Sequence, residues 1–208
     1  MMTGDHSVGR IIARPFTGKS GGYFRTPRRH DFSIQAPCDT VLDLLLKRGI
    51  PTISVGKIFD LFGGRGLSEA HKTHSNIEGI LTTIKIADER SEGLIITNLV
   101  DFDMLWGHRN DPQSFYNGLV QFDHFLPDIT GTLGPDDLLI LTADHGVDPT
   151  TVSTDHSREY VPLLVYSAKT PKAVNLGIRN SFADVGASVA DFFGINAEAG
   201  NSFLNEIF

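Results

Sequence analysis

The sequence predicts an α/β protein in which a mostly parallel sheet carries helices on both faces. Short apolar runs bounded by glycine, proline and polar residues are typical of buried strands. Segments with apolar residues at helical spacing lie between these runs. Because parallel strands need a crossover connection, which a helix usually supplies, this alternation favours a parallel sheet. The chain has 208 residues, enough for one domain with a sizeable core.

The predicted elements follow in a regular order. A stretch rich in glycine, arginine and proline, from Gly4 to about Pro37, predicts loop with short strands. Thr40 to Arg48 predicts a short helix, because its leucines lie at helical spacing and Gly49 follows as a stop signal. The elements expected after it are a strand at Thr52 to Gly56, a loop at Gly63, Gly64 and Gly66, a helix at Ser75 to Glu89, a strand at Leu94 to Val100, a helix at Ser114 to about Leu126, a strand at Leu138 to Leu141, a strand at Val161 to Tyr166 and a helix at Phe182 to Phe193.

Periodicity separates these helices from these strands. Each strand is a short apolar run, and Pro135-Asp136-Asp137 supplies the turn before the run at Leu138. Each helix instead carries an apolar side that would pack against the sheet. The apolar positions are Ile77, Ile80, Leu81, Ile84 and Ala87 in the first long helix, Leu119, Phe122, Phe125 and Leu126 in the second, and Val185, Val189 and Phe192 or Phe193 in the third.

Composition and charge exclude several classes of protein. Hydrophobic residues form 40% of the chain and charged residues 21%, which is typical of a globular rather than a disordered protein. The formal net charge of -7 argues against a nucleic-acid partner, because phosphate backbones are bound mainly by excess lysine and arginine. Cys38 is the only cysteine, which excludes an internal disulfide framework. With no apolar run near the roughly 20 residues of a membrane-spanning helix and no secretory signal, we expect a cytoplasmic protein without a membrane partner.

Acidic residues and histidines follow two of the predicted strands. Asp103 and His108 come after the strand that begins at Leu94, while Asp144 and His145 come after the strand that begins at Leu138. His156 lies further along the second segment. Because open α/β sheets bind ligands at the carboxyl ends of their strands, we expect these side chains to converge. Imidazole and carboxylate groups are ligands for zinc and manganese, so the sequence predicts a metal site.

Alternatives stay open at this site. A lone histidine in a loop is more often a hydrogen-bonding group than a ligand, and only the grouping of three histidines at strand ends favours a metal. Asp101 and Asp155 are rival ligands, since each lies near a chosen residue and spacing does not separate them.

The N-terminal stretch holds a cationic cluster within an otherwise acidic protein. This contrast favours an anion-binding site, and the alternative is a basic face that serves solubility. The members of the cluster are Arg10, Arg14, Lys19, Arg25, Arg28, Arg29 and His30.

Six segments of the chain carry a family resemblance. They are VGRIIARPFTG, FRTPRRHDFS, TISVGKIFD, NLVDFDMLWGHRND, LTADHGVDPT and STDHSREYVPLLVYS. In this order they resemble the alkaline phosphatase superfamily, and more closely its phosphopentomutases. The segments extend from Val8 to Ser167, and weaker similarity continues to Phe203, so the resemblance covers nearly the whole chain.

The resemblance implies a bimetallic enzyme that interconverts ribose 1-phosphate and ribose 5-phosphate, and the matching deoxyribose phosphates. It implies Mn²⁺ as the usual ion, with Zn²⁺ and Mg²⁺ as alternatives. Asp103, His108 and His156 would hold one ion, while Asp144 and His145 would belong to the other. The resemblance also implies phosphate-binding and supporting residues: Arg10, Arg14, Arg25 and Lys57 for phosphate, and Asp155 and Arg158 for support of His156 or contact with a phosphate oxygen.

The same resemblance divides the chain into the end of a cap domain with its hinge, residues 1–37, and the C-terminal part of an alkaline phosphatase-like core, residues 38–208. Members of the family have a preceding segment that supplies an aspartate ligand, the first strands of the sheet and a phosphoryl-carrying threonine. These are absent from the present sequence, which offers no catalytic nucleophile of its own. We therefore expect a truncated or split form with impaired activity alone, and a separately encoded N-terminal half as a candidate partner.

Two other functions compete with this interpretation. One is another bimetallic phosphatase or phosphoglycerate mutase of the same superfamily, against which the IARPF and RTPRRHD segments weigh. The other is a non-catalytic metal-binding remnant, which metal content after dialysis and an activity assay would distinguish from an enzyme.

Overall fold

The N-terminal stretch forms short antiparallel strands, as predicted. A computed structural model describes residues 8–26, 28, 30–34, 36–170 and 172–208, without the side chains of residues 10, 25 and 30–33. Strand β1 (Arg10–Ala13) pairs with β4 (His30–Ser33), and β2 (Phe16–Thr17) pairs with β3 (Phe24–Arg25). Four members of the predicted cationic cluster have side chains outside the described part of the chain, namely Arg10, Arg25, Arg29 and His30. The division into cap and core at residue 37 stays a prediction.

The remaining elements alternate between helix and strand as far as β8 and include every helix and strand that the sequence predicts. They are α1 (Val41–Lys47), β5 (Thr52–Val55), α2 (Ile58–Phe62), β6 (Glu69–His71), α3 (Asn76–Glu89), β7 (Leu94–Thr97), a π-helical turn (Phe102–Trp106), a 3-10 turn (Gly107–Arg109), α4 (Pro112–Gly131), β8 (Leu139–Thr142), β9 (Leu163–Tyr166), α5 (Ala183–Phe192) and α6 (Leu204–Ile207). Among the described residues, none of the helices is both long enough and apolar enough to cross a membrane.

A three-stranded parallel sheet lies at the centre of this α/β arrangement. Strand β5 is its middle strand, with β6 on one side and β7 on the other. All four residues of β5 are buried, and Ile53 and Val55 pack against Ile86 of α3. Parallel pairing brings the carboxyl ends of β5, β6 and β7 to one edge, which is where the predicted ligands begin. The predicted fold class is confirmed.

A second sheet departs from the parallel pattern, because β9 runs antiparallel to β8. The segment between these strands holds no helix, so it lacks the crossover element that usually accompanies parallel pairing. Along β9 the burial alternates: Leu163 and Val165 pack in the core, whereas Leu164 and Tyr166 are 62% and 47% exposed. One face of β9 therefore contributes to the core and the other faces outward.

Helix α5 packs beneath both sheets. Ala190 lies in one core cluster with Leu45 of α1, and Leu94 of β7 packs against the same cluster. Val185 and Phe192 of α5 pack in a second cluster, which is centred on the fully buried Phe203 and includes residues of β8 and β9. Because α5 contributes residues to both clusters, β7 and β8 both pack against the same helix.

Helix α4 is longer than the segment Ser114 to Leu126 that the sequence predicts. At its start the Asp111 side chain accepts a hydrogen bond from the Ser114 N–H at 2.9 Å, and Pro112 occupies the first turn, where its missing N–H loses no helical bond. At its end the helix continues through Pro127 to Gly131. Ile129 is only 7% exposed, so its burial favours the extra turn despite the proline.

The N-terminus of α1 yields a prediction about acid stability. Burial would raise the pKa of the Asp43 carboxyl, but hydrogen bonds from the Thr40 N–H and hydroxyl and from Arg65 outweigh it and lower the pKa below 3.8. A depressed folded-state pKa stabilises the fold above the unfolded-state pKa, and this contribution is lost as the pH falls through the folded-state value. We expect Asp43→Asn to reduce the free energy of unfolding at pH 7 by about 1–3 kcal/mol.

Urea unfolding of the wild type and Asp43→Asn at pH 7 and pH 3 measures this effect. The difference between the two proteins should shrink at the lower pH. Asp123→Asn is the matched control, because Asp123 is exposed on α4. An Asp43→Asn difference that is unchanged or larger at pH 3 would contradict the prediction.

Candidate metal centre

Two loops at the carboxyl ends of strands form the candidate site. The β7 loop comprises residues 98–111, and the β8 loop comprises residues 143–162. The first contains Asp103 and His108, and the second contains Asp144, His145 and His156.

A wide helical turn in the β7 loop explains the spacing between Asp103 and His108. The N–H of Gly107 donates to the carbonyl oxygens of Phe102 and Asp103, so the turn is partly of the i to i−5 type. In an α-helix, with about 3.6 residues per turn, two side chains five positions apart would point to different sides. The wide turn instead brings them together, with 3.3 Å between the His108 Nε2 and Asp103 Oδ1 atoms.

Asp101 fixes the start of this turn. Its Oδ2 atom accepts a hydrogen bond from the Asn76 N–H at 2.7 Å, and its own N–H donates to the Asn76 Oδ1 atom at 2.9 Å. Asp101 is 7% exposed, so this reciprocal pair anchors the β7 loop to the N-terminus of α3. The Asp101 carboxylate is thus engaged by α3, whereas the Asp103 Oδ1 atom faces the imidazoles of His108 and His156.

The β8 loop folds back on itself and brings two histidines side by side. Gly146 and Ser157 form an isolated antiparallel bridge, in which the Ser157 N–H donates to the Gly146 carbonyl at 3.1 Å. The Ser157 hydroxyl also accepts from the Asp148 N–H at 2.8 Å. His145 and His156 are the residues next to this bridge, and their rings stack with centroids 3.7 Å apart.

The two loops meet at Asp103. Its Oδ1 atom lies 3.2 Å from the His156 Nε2 atom, across the gap between the loops. Asp103, His145 and His156 each offer a ligand atom, and these atoms all lie within 4.8 Å of one another. Bonds of about 2.0–2.2 Å to a central ion would separate neighbouring ligand atoms by roughly 3–4 Å, so this donor set fits a divalent cation after small adjustments.

Backbone carbonyls orient the imidazole rings. The His108 Nδ1 atom lies 2.5 Å from the Thr154 carbonyl oxygen, and the His145 Nδ1 atom lies 3.2 Å from the Gly146 carbonyl oxygen. Since a carbonyl oxygen can only accept, these contacts use the Nδ1 atom of each ring and leave the Nε2 atom as the one that could bind an ion. Metal-binding histidines are commonly fixed in this way, with the second ring nitrogen held by an acceptor.

Residues 54–197 match the family model of the metalloenzyme superfamily. The chain belongs to this superfamily. Over its whole length it is 52% identical to a phosphopentomutase of Carboxydothermus hydrogenoformans, 55% identical to one of Dictyoglomus turgidum and 52% identical to one of Acetivibrio thermocellus. The chain spans 53%, 53% and 54% of the length of these curated relatives, which is about half of each. The family resemblance drawn from the six sequence segments is confirmed.

Membership of the metalloenzyme superfamily implies metal ions, and the five predicted ligands differ in how closely they approach one another. Asp103 contacts both His108 and His156, whereas the Asp144 Oδ1 atom lies 3.7 Å from the His145 Nε2 atom and its side chain is 60% exposed. One ligand atom of His145 lies within 4.8 Å of ligand atoms of Asp103 and His156, so His145 is close to the residues predicted for the first ion. The division of these residues between two ions stays a prediction.

The predicted supporting and basic residues are only partly described. The side chains of Asp155, Arg158 and Arg14 are exposed, and the Lys57 ammonium donates to the Met104 sulfur at 2.7 Å. Lys57 follows the end of β5 after one residue, Gly56, so it lies at the same sheet edge as the β7 loop. The side chains of Arg10 and Arg25 are outside the described part, and their role in phosphate binding stays a prediction, as do the roles of Arg14, Lys57, Asp155 and Arg158.

Sequence reasoning missed the residues that hold the two loops in place. Asn76 and the carbonyl of Thr154 gave no signal in the sequence, because their partners are 25 and 46 positions away. Gly146 did carry a signal, since a glycine beside a candidate ligand can mark a close backbone approach. A Cβ atom at Gly146 would lie 2.7 Å from the Ser157 carbonyl oxygen, so only glycine fits at this position without a shift.

Proposed function

We propose that this chain is part of a phosphopentomutase, an isomerase that interconverts ribose 1-phosphate and ribose 5-phosphate and the matching deoxyribose phosphates. The observation that carries the proposal is the cluster of Asp103, His145 and His156, in a chain about half identical to proteins of that name. A carboxylate with imidazoles is the donor set of a divalent metal centre that assists phosphoryl transfer. The single exposed cysteine, Cys38, is compatible with a reducing, cytoplasmic setting.

We assign the ligands as the resemblance implies. Asp103, His108 and His156 would hold one ion, and Asp144 and His145 would contribute to a second, with Mn²⁺ as the proposed metal and Zn²⁺ or Mg²⁺ as alternatives. When bound, such ions polarise phosphate oxygens and stabilise charge on the attacking and leaving oxygens. The contacts of Asp103 Oδ1 with two imidazoles, at 3.3 and 3.2 Å, support its role as the central ligand of the first site.

Basic side chains would hold the sugar phosphate while it turns between the two transfers. Arginine binds phosphate through two parallel hydrogen bonds, and lysine provides a point charge. Lys57 lies at the sheet edge that carries the β7 loop, which supports its assignment to phosphate binding. The other proposed phosphate ligands are Arg10, Arg14 and Arg25, with Asp155 and Arg158 as supporting residues.

We further propose that turnover by these 208 residues alone is weak and that the part of the relatives' length that they do not match is needed to complete the enzyme. The chain spans about half of its relatives, so a whole mutase would require further residues. Within the described residues, β7 pairs only with β5 and β8 pairs only with β9. Both strands are apolar and only half-buried, which supports further strand pairing at these edges.

A coupled assay of ribose 1-phosphate conversion in the presence of Mn²⁺ tests this function. The chain would be assayed alone and after mixing with the N-terminal half of the Dictyoglomus turgidum relative. That relative is suitable because the part of it that matches this chain is 55% identical to the chain. We expect weak turnover alone and restored turnover in the mixture.

The mixture prepared with His156→Ala should stay inactive, and the matched control His124→Ala, at an exposed position of α4, should not. Robust turnover by the chain alone would contradict the impaired activity. A mixture that assembles and binds Mn²⁺ but turns over no pentose phosphate would contradict the mutase assignment.

A further inference from the structure

Three contacts join the β7 loop to the β8 loop in addition to the approach of Asp103 to His156. The His108 ring contacts the Thr154 carbonyl oxygen at 2.5 Å, and the Asn110 Nδ2 atom donates to the Thr151 carbonyl oxygen at 2.6 Å. Gly107 lies against Val147, where an added Cβ atom would come within 2.5 Å of a methyl group. One short segment of the β7 loop therefore touches the β8 loop at three points within the stretch that the Gly146–Ser157 bridge closes.

Asn110 is conformationally unusual. Among the residues that the structure describes, it is the only non-glycine residue with positive φ, at 52°. Its N–H donates to the Gly107 carbonyl at 3.1 Å, which closes the 3-10 turn and directs the side chain toward Thr151. Asparagine tolerates this left-handed conformation better than most residues, but still less well than glycine.

The Asn110 side chain is also incompletely satisfied. Its Oδ1 atom is buried, and among the described residues it has no hydrogen-bond partner. A buried polar atom without a partner costs about 1–3 kcal/mol. A glycine would adopt the same backbone conformation without this cost, so the amide is not explained by backbone geometry alone.

We propose that Asn110 is a positioning residue for the metal centre. By holding the Thr151 carbonyl, its amide fixes the β8 loop at a point shortly before Thr154 and His156. This contact sets the distance between the His156 Nε2 atom and the Asp103 Oδ1 atom, 3.2 Å in the structure. Residues that orient metal ligands from outside typically change metal affinity by about 10–100-fold when they are replaced. The inference rests on the proposed metal centre.

Two substitutions remove the amide donor and keep the backbone conformation accessible. Asn110→Gly permits positive φ and deletes the side chain, and Asn110→Asp is nearly isosteric but presents only acceptors. Asn117→Asp is the matched control, because Asn117 is exposed on α4 and the substitution introduces the same charge. His156→Ala reports separately on the metal centre itself.

Co²⁺ titration of the 208-residue chain, read by visible absorption, is the measurement, with circular dichroism and thermal melting of each metal-free variant. We expect both Asn110 variants to raise the Kd for Co²⁺ by about 10–100-fold. Their Co²⁺ spectra should shift toward that of His156→Ala, while their metal-free folds stay intact. A spectral shift of this kind reports a changed ligand set, which a loss of general stability would not produce.

The outcomes are distinguishable. Wild-type Co²⁺ affinity in both Asn110 variants, together with weakened binding by His156→Ala, would overturn the role of Asn110 and leave the proposed function intact. Unchanged binding by His156→Ala would remove the metal centre and this inference with it. If both Asn110 variants are unfolded without metal, Asn110 serves the fold, and the positioning role is wrong.

Discussion

Replacing His156 with alanine is expected to abolish tight binding of a divalent ion at the proposed metal centre. The His156 Nε2 atom lies 3.2 Å from the Asp103 Oδ1 atom, and its ring stacks on that of His145. It is therefore the imidazole that links the ligands of the two loops. Because replacement of a residue that merely supports a ligand already weakens binding by about 10–100-fold, loss of the ligand itself should cost at least about 100-fold.

Metal content after dialysis against Mn²⁺-free buffer measures this loss. The wild type should retain about one ion per chain, and His156→Ala should retain almost none. His124→Ala provides the control, since it removes an exposed histidine of α4 and should leave the content unchanged. Equal retention by the wild type and His156→Ala would exclude His156 as a ligand.

A single methyl group at Gly146 is expected to have an effect nearly as large. A Cβ atom there would lie 2.7 Å from both the Ser157 carbonyl oxygen and the Glu159 Oε2 atom, and 2.9 Å from the Glu159 N atom. Two of these three atoms belong to the backbone, so the bridge between Gly146 and Ser157 must open. His145 and His156 flank that bridge and would separate, and we expect Gly146→Ala to weaken metal binding by about 10–100-fold.

Isothermal titration of the metal-free chain with Mn²⁺ measures the effect of Gly146→Ala. The control is Gly131→Ala at the end of α4, where an added Cβ atom meets nothing within 4 Å. Thermal melting of both variants separates weakened binding from general unfolding, since overpacking itself costs about 1–3 kcal/mol. Unchanged Mn²⁺ affinity in a folded Gly146→Ala protein would show that the bridge does not align the histidines.

Local patterns predicted most of the fold. The apolar runs became β5, β7, β8 and β9, because burial of short apolar segments is encoded in adjacent residues. The predicted end of α4, at about Leu126, was wrong because the burial of Ile129 depends on tertiary contacts that the sequence does not show. The sequence predicted a mostly parallel sheet without saying which strand departs from it, so the antiparallel direction of β9 was not predicted.

The sequence predicted that the candidate ligands would approach one another, but it did not predict the hydrogen bonds that hold them in place. Acidic residues and histidines after two strands indicate a shared edge, so the approach of Asp103 to His156 follows from the fold class. The preference for Asp103 over Asp101 required the hydrogen bonds between Asp101 and Asn76. A backbone carbonyl acceptor such as that of Thr154 is present in every residue, so the amino-acid sequence does not show which carbonyl contacts His108.

The wide turn between Asp103 and His108 holds the only tryptophan of the chain. Trp106 meets Phe102 edge to face at 5.1 Å and covers Gly118 of α4, so its indole is wedged between the ligand-bearing turn and a rigid helix. Any rearrangement of that turn on binding of an ion would change the surroundings of this indole. Its fluorescence would therefore follow occupancy of the proposed metal centre in real time and without a label.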